Sequence, residues 1–282
     1  MISPKTKEKA AFTLLFLATV LVVAPVVLIL AIIIKEGLPA INWEFLSAYP
    51  KSGMREGGIF PAIVGTIYMV LGAMLFALPV GVLSAIYLSE YSKDNLFTRL
   101  IKLAIVNLAG VPSIVYGLFG LGLFVTFLRF GASILSGSLT LAIMILPIVV
   151  TTSKEALETV PKYFREVSLS LGASRWQTVR HAVLPHAVSG ILTGVILGVG
   201  RAAGETAPIL FTVAAFYLPR LPKSIFDQAM ALPYHLYAIS TQVPGIKPSI
   251  RYGTALVLLV LVLAMNLFAI IIRIHFRRKK RW

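Results

Sequence analysis

Long apolar runs separated by short polar stretches dominate the chain. Six of them reach the roughly 20 residues that cross a bilayer as a helix, at 11–34, 59–88, 101–128, 133–152, 187–216 and 254–274. Several are interrupted by residues that break helices: Pro79 with Gly81, Gly110-Val111-Pro112-Ser113, Pro147, and Gly204 with Pro208. Within a membrane such breaks are tolerated only where neighbours satisfy the freed backbone groups, so the pattern predicts a packed bundle of bent helices. The run 187–216 is distinctive because it carries two ionisable residues. At about 100° per residue, Gly190, Gly194, Gly198, Arg201, Glu205 and Pro208 share an arc of about 80°. One face therefore combines close helix approach, an i,i+4 ion pair and a helix breaker.

The polar connections carry further elements. Stretch 153–181 predicts two short helices, 154–159 ending before Pro161 and 162–171 closed by Gly172 in a left-handed C-cap. Ser174 then starts another turn as its N-cap, with Trp176, Val179 and Ala182 along one face. On the other side, 35–58 places Trp43 and Tyr49 as interfacial aromatics. The longest connection, 217–252, predicts a short helix at 224–231, started by Ser224 and ended before Pro233.

Composition agrees with this pattern: 58% of residues are hydrophobic and 13% charged, which describes a polytopic membrane protein. The net charge of +15 gains meaning from its distribution. With both termini assigned to the cytoplasm, that side receives 17 Lys and Arg and the other side 8, with Arg201 the remaining one of 26. The cluster Arg277-Arg278-Lys279-Lys280-Arg281 directly follows an apolar span, where it suits anionic lipid headgroups and not nucleic acid. The N-terminal run is longer than a signal-peptide core and reads as a retained first span. The organisation expected is a tail at 1–10, a first span at 11–34, a core of five helices at 59–274 and a basic tail at 275–282.

Little in the chain points to catalysis. No cysteine is present, no GxxxxGK[ST] loop occurs, and His181, His186, His235 and His275 are scattered without ligand spacing. Any energy-driven process in this chain would then draw on a partner or an ion gradient. The Arg201/Glu205 pair reads in three ways: a structural ion pair fixing helix register, a proton relay, or a gate whose guanidinium contacts an oxyanion through bidentate hydrogen bonds. The loop 153–185 reads as a helix that docks in a protein groove or one that lies on headgroups.

A family resemblance narrows these choices. Glu166, Gly172 six residues later, and Leu184-Pro185 resemble the cytoplasmic EAA loop of ABC-importer permeases, with Val167 and Ser168 replacing two alanines and Ala182 replacing the usual isoleucine. RAAGETAP from Arg201 to Pro208, GVPSIVYGLFGLG from Gly110 to Gly122, and ALPYHLYAIST in the last outer loop resemble the PstA-type branch, and the likeness is closest from 59 to 265. The resemblance implies an all-α membrane protein of the type I ABC-importer permease fold, with six transmembrane helices and cytoplasmic termini in the cytoplasmic (inner) membrane. It implies coupling to an ATPase through Glu166, Gly172, Ala173, Ser174, Arg175, Trp176, Leu184 and Pro185, and a translocation path or gate at Arg201, Glu205 and Thr206. It also implies a PstC-like second permease, a PstB-like ATPase dimer that binds ATP and Mg, and a PstS-like phosphate-binding protein seated on the outer loop. This chain would hold no cofactor of its own. Sulfate- and molybdate-type permeases have an aromatic residue and Gly after the glutamate, so Thr206-Ala207-Pro208 favours phosphate over those oxyanions. An ion-coupled secondary transporter is the other alternative, opposed by the lack of inverted repeats and of further intramembrane acids.

Overall fold

The structure, a computed structural model, describes residues 4–278. The first three and last four residues, and with them part of both expected tails, lie outside the described residues. The main helices are α1 (Pro4–Gly37), α2 (Phe60–Ile86), α3 (Leu96–Ala109), α4 (Ser113–Gly120), α5 (Ile134–Glu158), α6 (Lys162–Ser170), α7 (Arg175–Thr178), α8 (Leu184–Gly204), α9 (Ala207–Thr212), α10 (Leu232–Thr241) and α11 (Pro248–Arg278). Among the described residues, five helical stretches are long and apolar enough to cross a membrane: Ala11–Ala40, Phe60–Tyr91, Ile134–Glu158, Arg175–Gly204 and Pro248–Phe276. A sixth span exists only if α3 and α4 count as one.

That pair corrects the expectation for 101–128. Instead of one span with an irregular start, Leu96–Ala109 and Ser113–Phe127 meet at 105°. The cause is local: Pro112 has no N–H to continue the ladder, and it adopts φ −58° and ψ 141°, outside the helical region.

Helix α5 is the axis of the bundle, with 67% of its apolar window buried, whereas the window of α1 is fully exposed. Ser133 starts α5 by accepting a hydrogen bond from the Ser136 amide at 3.2 Å. Pro147 is accommodated within it, and the Thr151 hydroxyl donates to the Pro147 carbonyl at 2.6 Å. The helix continues to Glu158, so the separate helix expected at 154–159 is its last turn, reinforced by a Lys154–Glu158 ion pair at 3.0 Å.

The central core joins α2, α5, α8 and α9 through Met69, Val70, Leu141, Ile145, Ala203 and Ile209. Two further clusters close the ends of the bundle. One gathers Phe45, Ile59, Met230, Leu232 and Ile239; the other gathers Ala85, Leu157, Val160, Val179 and Val183. The apolar exterior, including Leu14, Phe16, Leu21 and Leu75, is the surface a protein presents to acyl chains.

The last outer connection departs from expectation. No helix forms at 224–231. The Asp227 carboxylate instead accepts from the Lys223 and Ser224 amides at 2.8 and 3.1 Å and closes a turn. These amides, with the nearby Arg220 and Lys223 charges, hold the Asp227 carboxyl below its ordinary pKa. The segment then runs extended, the Ala215 amide donating to the Ala229 carbonyl at 3.0 Å. Helix α10 follows with Pro233 in its first turn, where a missing N–H costs nothing, so this proline begins a helix rather than ending one. Connection 35–58 contains a two-residue hairpin, Pro50–Lys51 with Glu56–Gly57, while Trp43 is exposed and Tyr49 packs edge-on against Phe60 at 6.1 Å.

Candidate translocation site and coupling loop

Arg201 lies in the last turn of α8, which ends at Gly204. Glu205 leaves the helix with φ −77° and ψ 136°, and α9 begins at Ala207 with Pro208 in its first turn. Pro208 offers no N–H to the Gly204 carbonyl, so the chain breaks where the sequence predicts a breaker. The two charges still meet, but Arg201 Nε and Glu205 Oε1 are 3.6 Å apart, longer than a hydrogen bond, and the side chains are 30% and 19% exposed. The pair therefore spans the end of a helix, where continuous helix is expected from spacing alone. It is loose and partly open.

The glycine stripe serves the close helix approach expected of it, and its partner lies within the chain. A Cβ on Gly190 would strike Ala156, and one on Gly194 would strike Thr152. That face is used for close approach to α5 of the same chain. The two broken helices converge nearby: a Cβ on Gly117 of α4 would lie 2.9 Å from the Ala207 carbonyl. Tyr116, beside Gly117, shares one core cluster with Ala202 and Ala203 of α8, and its hydroxyl donates to the Leu108 carbonyl at 2.6 Å. Thr206 sits between α8 and α9 at the N-cap position of the second, its side chain making no capping hydrogen bond. Tyr116 is thereby placed at the break between α8 and α9, although spacing in the sequence does not bring it there.

At the far end of α8 lies the loop. Helix α6 runs over the expected segment and ends at Gly172 with φ +83°. The Gly172 amide donates to the Leu169 carbonyl at 2.9 Å and the Ala173 amide to the Ser168 carbonyl at 3.2 Å, the paired bonds of a Schellman C-cap. Ser174 and Gln177 form a reciprocal capping box that starts α7. A π-helical turn, Val179–Val183, then joins α7 to α8, with Pro185 in the first turn of α8. From Arg175 to Gly204 the chain is one helical stretch of 30 residues.

Glu166, Gly172, Ser174, Arg175 and Trp176 are exposed, Ala173, Leu184 and Pro185 partly buried. One expectation fails here: Val179 faces the core with 2% exposure while Trp176 points outward at 48%, so the two do not share an outer face. The exposed apolar side chains of the loop are instead Tyr163, Val167, Leu169, Leu171 and Trp176.

Residues 77–282 match the family described as "binding-protein-dependent transport system inner membrane component". The chain is 34% identical over 280 residues to the probable ABC transporter permease protein YqgI of Bacillus subtilis, covering 94% of both chains. It is likewise 34% identical over 283 residues to the phosphate transport system permease protein PstA 1 of Mycobacterium tuberculosis, covering 98% of this chain and 91% of the relative. In fold it is similar to a chain of the bacterial alginate ABC transporter crystallised with a pentasaccharide-bound periplasmic protein, with a TM-score of 0.69, 14% identity, and 94% and 93% of the two chains covered. A rod of helix from an exposed loop to a broken-helix ion pair is thus set in an ABC-importer permease fold, and the chain belongs to the binding-protein-dependent inner membrane permeases, in their PstA-type branch.

Proposed function

We propose that the chain is one of two permease subunits of an ATP-driven importer of inorganic phosphate. The observation that carries this reading is the unbroken helical stretch from Arg175 to Gly204, which connects an exposed loop directly to the Arg201–Glu205 pair. A push on the loop is delivered along about 45 Å of rod, at 1.5 Å per residue.

In this reading the loop 153–185 is cytoplasmic and docks on the ATPase through Glu166, Gly172, Ala173, Ser174, Arg175 and Trp176, with Leu184 and Pro185 as the joint to the rod. ATP and Mg are bound by the ATPase dimer and not by this chain. A second permease of the same fold completes the path, and a phosphate-binding protein sits on the opposite face, against 217–252. Both termini lie in the cytoplasm. Arg201 serves as a gate and transient oxyanion contact, since a planar guanidinium offers phosphate two parallel charge-assisted hydrogen bonds. Glu205 occupies Arg201 when the path is empty, and the 3.6 Å separation supports a contact that is readily exchanged. Thr206 adds a hydroxyl beside them. The PstA-type relatives favour phosphate over sulfate or molybdate.

The test is purification of the tagged chain from its own membranes followed by reconstitution. Recovery of an ATPase and a second permease, with ATP-dependent uptake of radiolabelled phosphate once the binding protein is added, is the expected result. Uptake of sulfate in place of phosphate moves the assignment to another oxyanion. Transport by the chain alone, driven by a proton gradient, refutes it.

A further inference from the structure

Arg165 ties three elements together at the end of the bundle that carries the loop. It lies in α6, and its guanidinium donates to the Glu90 carboxylate from Nε at 3.0 Å and from Nη2 at 2.6 Å. Its other donors reach the Val160 carbonyl at 2.8 Å and the Leu157 carbonyl at 2.9 Å. Glu90 belongs to the π-helical turn Tyr87–Tyr91 that continues α2. Leu157 lies in the last turn of α5 and Val160 just beyond it. The final carbonyls of a helix lack intrahelical donors, so one side chain caps α5 while gripping α2.

Among the described residues this contact is shorter and more buried than the other ion pairs, Arg201–Glu205 included. Arg165 and Glu90 are 20% and 11% exposed, whereas Arg99 and Asp94 are 69% and 70% exposed. A forked guanidinium engaged on both sides has a single geometry, which a lysine ammonium does not reproduce. The gripped helices, α2 and α5, share the most extensive packing in the molecule. On its other side α6 is braced to α7 by a 2.9 Å hydrogen bond between the Ser168 and Thr178 hydroxyls. Helix α6 is therefore held between two bodies: the rod that begins at Arg175, and the α2–α5 pair.

From this geometry we infer that Arg165 and Glu90 form a second coupling joint, which makes α2 and α5 move with the loop while the rod moves α8. The inference rests on the coupling role proposed for the loop. Arg165 acts as a positioning residue, since it lies in the loop and not beside Arg201. Without the joint, a displacement of α6 is absorbed at its hinges around Pro161 and Gly172, and the helices that back the glycine face of α8 stay behind.

The test uses the complete importer in proteoliposomes, reading phosphate transported per ATP hydrolysed. Arg165→Lys and Glu90→Gln are expected to assemble and hydrolyse ATP, with that ratio lowered by about tenfold, within the usual range for coupling between sites. Because the chain has no cysteine, the E90C/R165C double variant can be bridged by a reducible bis-methanethiosulfonate linker. Bridging is expected to restore the ratio, and reduction to abolish it again. Assembled variants that keep the wild-type ratio overturn the joint. So does a bridge that cures an assembly defect while leaving the ratio unchanged, which makes the contact a structural staple. Failure of the wild-type complex to couple ATP to phosphate uptake is a separate outcome, which sinks the functional reading and this inference with it.

Discussion

The Tyr116 hydroxyl donates to the Leu108 carbonyl at 2.6 Å across the elbow between α3 and α4. In a continuous helix Leu108 would receive the N–H of residue 112, but that residue is Pro112. The Val111 amide takes up part of the carbonyl's capacity at 3.1 Å, and the phenol supplies the rest. The same tyrosine packs in one core cluster with Ala202 and Ala203, which directly follow Arg201 in α8. The repair of one helix break thus sits beside the ion pair that straddles the other.

Tyr116→Phe isolates this bond, because the ring is 4% exposed and its packing is kept. The expected cost is about 1 kcal/mol. Amide hydrogen exchange over 107–113 should quicken by about fivefold, the ratio that such an energy corresponds to. Unchanged exchange there would show that the elbow is held by other contacts.

Arg201→Lys and Arg201→Gln should both abolish phosphate uptake while the complex still assembles. Lysine keeps the charge but presents no planar fork to the anion, so it tests recognition rather than charge. The pair is partly exposed and longer than a hydrogen bond, so breaking it should cost less than the 3–5 kcal/mol typical of a fully buried pair, at roughly 1 kcal/mol. Co-purification of the second permease and the ATPase reads assembly; radiolabelled phosphate reads uptake. Loss of assembly in both variants would make the pair a fixture of helix register.

Gly172 separates a backbone requirement from a steric one. Its φ is +83°, and a Cβ there would meet nothing within 4 Å. A substitution is therefore penalised by conformation alone, about 1–2 kcal/mol for a side chain that disfavours the left-handed region. Gly172→Val should loosen the turn between α6 and α7 and reduce retention of the ATPase on the purified permease. Gly172→Asn, which tolerates that region, should retain most of it. Equal loss in the two would point to a surface contact at this position.

Which features are legible in the sequence follows from how local their causes are. Apolar runs, the breaks at Pro112 and Pro208, the Ser174 cap and the left-handed Gly172 are set by a few neighbouring residues, and the structure carries each of them, whereas Pro79 and Pro147, also expected to interrupt their spans, lie inside the continuous helices α2 and α5. The bend of 105° is not legible, since Pro112 fixes that a helix stops but not where the next one points. Helix α10 is misplaced from sequence because Pro233 can close one helix or open another, and the choice is made by tertiary contacts such as the Leu232 amide donating to the Thr66 hydroxyl at 2.9 Å. The Arg165–Glu90 contact joins residues 75 positions apart, which periodicity does not reach. The glycine face of α8 is legible as a surface of close approach, but its partner, α5 of the same chain, is not.

His235 offers a test on the opposite side of the bundle. It lies in α10 with 2% exposure, and Nδ1 has no hydrogen-bond partner. Burial disfavours the imidazolium and lowers its pKa from 6.5 to about 4. Between those values the unfolded chain binds more protons than the folded one, so this contribution to stability is fully present above pH 6.5 and is lost as the pH falls toward 4. A shift of that size corresponds to about 3 kcal/mol. His235→Leu removes the titration, and carboxylates elsewhere act on both proteins alike, so the difference between wild type and variant isolates the imidazole. Thermal melts of the detergent-solubilised complex should show the wild type losing ground to His235→Leu from pH 6.5 downward, with no change in their relative stability from pH 7 to 8. Parallel curves across the acidic range would mean that water or a relaxed loop reaches the ring, and that α10 is less tightly sealed against the bundle than its contacts imply.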